Sequence, residues 1–461
     1  MSAEPSATPG RPVEHRFLGS RLSAMMFIQW AMYGVWAPLI GQFLLADVRQ
    51  GGLGFSQQQL GWILGVSGTV GALLAPFVGG QVGDRYVATE RLLALLLAIG
   101  GGIQFILAGQ TGFAAWLALS IASGVALGPS GALSNSLAFA HLDDPRRQFP
   151  RVRLWGTIGW IVPAWVFPMV WLQTGLHFTW KPPFLVGLER PDVTCRLADA
   201  LRVGAVVAFA YAAYCLTLPH TPPKREARER LAFRKAFRLF RRPSFAVLIG
   251  AGILIASIHS LYFTQAGRFL VTRGLRQADI LPAMSIGQIA EIGVMALVGV
   301  MLKRLGFRAV LTIGASAYVL RFLLFGTTSL PLGVLVVSQA LHGVCFACYY
   351  AAAFIYIDRL AEEDIRHSVQ TVFGILLAIG PIVGGWLNGR LAALYTDWEL
   401  RPLPWPFRQA IPFPLYVGRL DYSPFFYTAA AIGLIATFVL VALFRDETGQ
   451  AKRAAAADPG R

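Results

Sequence analysis

Glu291 is the only charged residue in Ile280–Leu302, a run of 23 residues. A helix of that length crosses the hydrocarbon core of a bilayer. A carboxylate at that depth is costly unless it faces protein or water and finds a partner, so it marks a group in use. Gln288 lies three residues earlier and shares its helix face. Together an amide and a carboxylate can bond a pair of hydroxyls or a ring imide. The plainer alternatives are an ion pair with Arg153 or Arg321 for Glu291 and inter-helical hydrogen bonding for Gln288. Arg153, Thr157 and Trp160 follow i, i+4, i+7 spacing, which puts a cation, a hydroxyl and an aromatic plane on one face. The guanidinium fork can hold two acceptors at once, and the ring can stack on a flat ligand. Arg146, Arg147 and Arg151 precede Arg153, so it also reads as a snorkelling anchor.

Two further pairs carry imidazoles at helical spacing: His259 with Tyr262, and His342 with Phe346. Histidine titrates near physiological pH, so either could relay protons, and either could be a neutral, hydrogen-bonded bundle residue. Burying a charge in a low-dielectric site is expensive, which makes Glu291 the leading proton carrier, followed by His259 and His342. Gln29, beside Trp30 and Trp36, and Asn135 are additional polar candidates that can equally serve as packing glue. Arg321 reads as a structural pair or an interface anchor. No two histidines or acids sit at ligand spacing on one of these helices, so neither a metal nor a cofactor is expected. A phosphate-cradling Gly-rich loop, HExxH and GxSxG are all missing, which argues against an ATP-driven pump and against an enzyme.

The elements that must position these residues are apolar helices. The chain has 461 residues, 55% hydrophobic and 14% charged, with a mean hydropathy of +0.56. Soluble domains are about a quarter charged. Twelve apolar stretches stand out: 22–45, 57–79, 91–109, 114–140, 153–174, 201–219, 245–266, 280–302, 308–326, 331–357, 367–389 and 422–444. The polar, Pro-rich N-terminus does not read as a signal peptide. Net charge is +16. With both termini cytoplasmic, inner segments hold 27 of the 40 basic residues and outer loops hold 12. This is the positive-inside bias rather than a nucleic-acid footprint. Nine Lys or Arg cluster in Lys224–Arg242, which reads as a lipid-facing cytoplasmic linker.

That linker splits the chain into residues 1–219, a six-helix bundle, residues 220–244, and residues 245–461, a second six-helix bundle with a tail. The expected fold class is an all-α membrane protein with twelve transmembrane helices in two six-helix bundles, the major facilitator plan, built around a midplane site. Gly80-Gln-Val-Gly-Asp84-Arg85, followed by Arg91, resembles that superfamily's cytoplasmic loop motif after the second span. Small residues at packing spacing (Gly61, Gly65, Gly124, Gly128, Gly380, Gly384, Gly385) point to close helix contacts. Pro76, Pro129, Pro163 and Pro381 permit bends. Cys345 and Cys348 form a CxxC within an apolar helix and read as small packing residues; no disulfide framework is implied. The outer loops 175–200 and 390–421 are long and aromatic-rich.

At the residues named above the chain resembles the nucleoside:proton symporter family of the major facilitator superfamily. Arg151-Val-Arg153-Leu-Trp155-Gly-Thr157-Ile-Gly-Trp160 is similar to the family's fifth-span segment. Pro129-Ser130 through Phe139, Leu22–Gly34, and Met284-Ser285 through Gln288 and Glu291 match it in order. The resemblance implies nucleoside contacts for Arg153, Thr157, Gln288 and Glu291, an aromatic position at Trp160, and another at Phe346. His259 and Tyr262 stand where the family has Gln and Asn, His342 where it has Tyr, and Ala347 where it has an acid. The expected partners are a nucleoside or similar polar small molecule, protons and the lipid bilayer, with the protein working as a monomer in the inner membrane. A superfamily transporter of a sugar or drug, an exporter, and a non-transporting membrane sensor remain open at this point.

Overall fold

Inside lipid, every backbone N–H and C=O of a segment must be satisfied by that segment, and a helix does this. The computed structural model, which describes residues 17–76, 87–180, 182–222, 241–360, 366–401 and 415–447, has a helix over each of the twelve apolar stretches. In the N-terminal half these are α1 (Leu18–Gly34), α2 (Ile40–Leu45), α3 (Gln57–Pro76), α4 (Thr89–Leu107), α5 (Phe113–Leu127), α6 (Ser130–His141) and α7 (Pro145–Phe167), then the short α8 (Val193–Arg196) and α9 (Asp199–Cys215). The C-terminal half has α10 (Pro243–Thr272), α11 (Ile280–Gly326), α12 (Leu332–Val337), α13 (Leu341–Cys345), α14 (Ala352–Leu360), α15 (Arg366–Leu377), α16 (Ile379–Leu394) and α17 (Tyr422–Leu443). Among the described residues, eight helical segments are long and apolar enough to cross a bilayer by length and composition. The segment containing α11 carries two apolar stretches. They meet at Gly306, whose φ of 78° lies in the left-handed region that a side chain disfavours.

The loops depart from the all-helical expectation. β1 (Gln173–Phe178) pairs antiparallel with β2 (Leu185–Glu189), and β3 (Thr396–Arg401) with β4 (Leu415–Leu420). Both hairpins fall in the two long loops. Outside lipid a backbone can be satisfied by water or by a strand partner, so helix is no longer enforced there. The motif Gly80–Arg85 and linker residues 223–240 lie outside the described residues. Just ahead of that linker, Glu90 binds His220 Nδ1 at 2.8 Å and accepts from the Thr221 amide at 3.0 Å, tying the end of α9 to the start of α4.

The two halves are joined on the side that carries the hairpins. There one apolar core runs from Val35, Phe43, Leu60 and Phe167 of the first half into Leu261, Phe269 and Met284 of the second. On the opposite, terminal side, Leu22, Met25, Leu93, Leu137 and Tyr211 form a core of their own. Hydrogen bonds between the halves gather on the hairpin side. Trp165 Nε1 donates to Ser285 Oγ at 2.7 Å, and Arg276 Nη1 donates to the Gly187 carbonyl at 2.8 Å. Buried Asn388 donates to the Gln57 carbonyl at 2.9 Å, and Gln265 donates to Gln57 Oε1 and to Asn388 Oδ1.

The seam between α3 and α16 depends on missing side chains. A Cβ on Gly61 would collide with the Gly385 carbonyl, and a Cβ on Gly385 with the Gly61 carbonyl. Backbones can approach this closely only through such residues. Halfway along the seam Thr69 Oγ1 donates to the Ala378 carbonyl at 2.6 Å. Gly385→Val is expected to destabilise the protein by about 1–3 kcal/mol, the usual cost of overpacking, read as a lower midpoint of thermal unfolding in detergent. Gly374→Val, at a position with open space around it, serves as the control. Equal midpoints for the two variants would show that the seam does not need its glycines.

Candidate functional site

Arg153 is just over two turns into α7, on the face toward α1. Gly156 makes its position accessible: a Cβ there would lie 2.6 Å from Arg153 Nη1 and 2.6 Å from Trp30 Cδ1. In the space this leaves, the guanidinium sits 4.7 Å from the centre of the Trp30 ring. Trp160, two turns further on, has its ring 6.3 Å from that of Trp30, tilted by 51°. Tyr33 lies 6.3 Å from Trp30 on the other side. A cation–π contact of this kind contributes about 0.5–2 kcal/mol and directs the side chain without using its donors. Thr157 is half-buried on the same helix.

Glu291 approaches from the other half of the chain. It is half-buried on α11, and a Cβ at Gly343 of α13 would strike the backbone at Ala290–Glu291, so these helices touch at the carboxylate's own position. Arg153 and Glu291 act on each other electrostatically across the two halves. Among the described residues no salt bridge joins them, nor Glu291 to Arg321. Gln288, 9% exposed, leaves its Oε1 without a hydrogen-bond partner.

The second cluster lies wholly in the C-terminal half. His259, half-buried, has Nδ1 2.7 Å from the Tyr318 hydroxyl. Its ring stacks on that of buried His342 at 5.5 Å, and His342 stacks in turn on Tyr262 at 5.3 Å. The Tyr262 hydroxyl donates to Gln339 Oε1 at 2.7 Å. Phe346 is half-buried and 5.5 Å from Tyr350. Gln29 is held between α1 and α6 by Ser130 at 2.9 Å and Ser134 at 3.4 Å, a packing network. Asn135 is half-buried on α6. Arg321 departs from the expectation of an ion pair: it is buried against Tyr262, Tyr318 and His342 and has no carboxylate among the described residues.

Sequence reasoning passed over Tyr318, Gln339 and Tyr350, and the amide lock of Gln57, Gln265 and Asn388. Polar side chains within apolar stretches were the available signal for Gln265, Gln339 and Asn388; the tyrosines gave none beyond ordinary packing. Two large cavities open elsewhere. One of about 860 Å³ lies between the starts of α1 and α7 and the end of α6. The other, about 1070 Å³, lies between the halves on the hairpin side, lined by Gln57, Arg268, Arg273 and Arg419 among others. Neither is lined by a residue singled out above for substrate contact. Among the described residues no group of His, Cys, Asp and Glu could hold a metal ion, and the four cysteines are free.

A protein-family model described as Nucleoside H+ symporter matches residues 18–449. This chain belongs to the nucleoside H+ symporter family. The symporter is 29% identical to the putative nucleoside transporter YegT of Escherichia coli, over 80% of this chain and 83% of that one. It is 26% identical to the nucleoside permease NupG of Escherichia coli, over 82% and 90% respectively. Its fold is similar to the crystal structure of nucleoside transporter NupG, with a TM-score of 0.75 and 22% identity, covering 93% of this chain and 99% of that one. These relatives are transporters, not enzymes. The symporter is a multi-pass membrane protein with the major facilitator fold.

Trp30→Leu is expected to weaken nucleoside binding to the symporter about two- to thirty-fold, the loss of one cation–π contact. Titration of purified protein with uridine checks this, and unchanged affinity would remove Trp30 from the site.

Proposed function

We propose that this chain imports nucleosides together with protons by alternating access. The reading is supported by the family match over residues 18–449, together with a cation held among aromatic rings in the first half, Arg153 over Trp30 beside Trp160, and a half-buried carboxylate, Glu291, on α11 of the second. Arg153 and Glu291 form the polar clamp on ribose or base. Thr157 and Gln288 add hydrogen bonds, Trp160 and Phe346 add stacking area, and His259, Tyr262 and His342 shape the wall, with Gln29 and Asn135 supporting it from α1 and α6.

Glu291 carries the proton. Ionised, it attracts Arg153; protonated, it does not. Proton binding thus changes the attraction between the two halves, and a nucleoside that engages both side chains substitutes for it. His259 and His342 are the secondary candidates for proton handling.

The chain lies in the inner membrane with both termini cytoplasmic, the orientation favoured by its basic residues. In that frame the hairpin side is outside. The continuous core and the amide lock there, against the separate core on the terminal side, support an inward-facing arrangement. Residues 1–219 and 245–461 are the two rocking units, with 220–244 as the basic linker between them. The protein works as a monomer in the bilayer and has no nucleic-acid partner.

Proteoliposomes loaded for counterflow of labelled uridine and adenosine test the clamp and the carrier separately. Glu291→Gln should keep counterflow and lose accumulation driven by a pH gradient. Intact accumulation in that variant would sink the carrier role. Arg153→Ala should weaken uptake affinity more than ten-fold, as expected from about 1.5–3 kcal/mol for a charged hydrogen bond. Unchanged affinity would sink the clamp.

A further inference from the structure

Arg321 is a charge the scheme above does not use. It is 0% exposed. Its guanidinium lies 3.8 Å from the centre of the Tyr262 ring and 5.2 Å from that of Tyr318. Nη1 is 3.1 Å from His342 Nδ1. Nε and Nη2 have no acceptor, and no carboxylate pairs with the group among the described residues. Desolvating a cation is costly, and a charge within a membrane span is retained for a task.

The chemistry around it is narrowly constrained. A guanidinium only donates hydrogen bonds. His342 Nδ1 therefore accepts, and the ring's hydrogen sits on Nε2, which has no protein partner among the described residues. At the adjoining point of α11, a Cβ on Gly287 would fall 2.8 Å from His342 Cβ and 3.1 Å from the Gln339 carbonyl. Close contact there packs α11 against the backbone and side chain at Gln339 and His342, and Gln288 is the next residue along α11. Gln288 Oε1 and Gln339 Nε2 are both unpartnered. The unsatisfied groups of this corner are thus donors on Arg321, His342 and Gln339 and one acceptor on Gln288. An oxo base presents the complement, carbonyl oxygen beside ring N–H. A base with an amino group in that place meets donors with donors.

We propose that Arg321 is a positioning and specificity-determining residue: it holds His342 as an Nε2 donor beside Gln288, so that the site selects nucleosides with oxo bases over those with amino bases. This rests on the nucleoside reading of the Arg153–Glu291 site. Arg321 acts from behind the wall; His342 and Gln288 make the contact.

Two matched pairs test it in proteoliposomes: uridine against cytidine, and inosine against adenosine. Wild-type protein should favour the oxo member of each pair by about ten-fold or more in kcat/KM, because a buried donor left unmatched is strongly penalised. Arg321→Met should bring both ratios towards one, chiefly by raising KM for the oxo member. Arg321→Lys should restore part of the preference. His342→Gln, which can accept from Arg321 and still donate, should keep it, and His342→Leu should lose it. Equal handling of the pairs by wild-type protein overturns the proposal while leaving nucleoside transport standing, and so does an unchanged ratio in either Arg321→Met or His342→Leu. If Arg321→Met does not fold, the wild-type ratios and the two His342 variants decide. Failure to transport or bind any nucleoside overturns the underlying reading and this proposal with it.

Discussion

A charge in a low-dielectric interior must be compensated, and in this protein the compensation crosses the boundary between the two halves of the chain. Arg153 and Glu291 influence each other without closing into a salt bridge. Neither side chain could be where it is without precise small-residue packing. Gly156 leaves room for the guanidinium to lie over Trp30, and Gly343 lets its helix reach the backbone at Glu291. The apolar bulk of the bundle creates the dielectric that makes the charges matter, and the glycines let the helices that carry them pack closely.

The contacts between the halves are unevenly distributed, and that asymmetry is the structural basis of a two-state transporter. Apolar core, amide hydrogen bonds and the Gly61–Gly385 seam hold the hairpin side together. Gln57, Gln265 and Asn388 are neutral amides, so they can part and meet water without stranding a charge. A closed face built from such groups is firm and still separable. An apolar seal alone would be indifferent to register, whereas paired amides restore the same alignment at each closure.

The C-terminal half carries a different solution to buried polarity. Three rings, Tyr262, His342 and His259, stack in sequence, with Arg321 against Tyr262, His342 and Tyr318 and the Tyr318 hydroxyl on His259. The histidines invite a reading as proton relays when seen as isolated residues in apolar stretches. In the assembled cluster, both Nδ1 atoms are already engaged, one by a group that can only donate. His342 is thereby held as an Nε2 donor, which leaves the histidines secondary to Glu291 as candidates for proton handling.

Much of this was legible in the residues alone. Apolar stretches long enough to span a bilayer had no alternative to helix, because lipid offers the backbone no other partner; the lone carboxylate Glu291 and the Arg153–Thr157–Trp160 face stood out as candidates by cost and by spacing. The two hairpins were not legible, since in water-facing loops strand and coil compete on equal terms. Nor was the fate of Arg321, which reads from sequence as a structural pair or an interface anchor and has no carboxylate partner among the described residues. Sequence determined which groups are too expensive to be idle. Only the tertiary structure decided which polar groups meet, because partners such as Gln57 and Asn388 are brought together by helix packing across more than a hundred residues, and no local pattern encodes a distance of that kind.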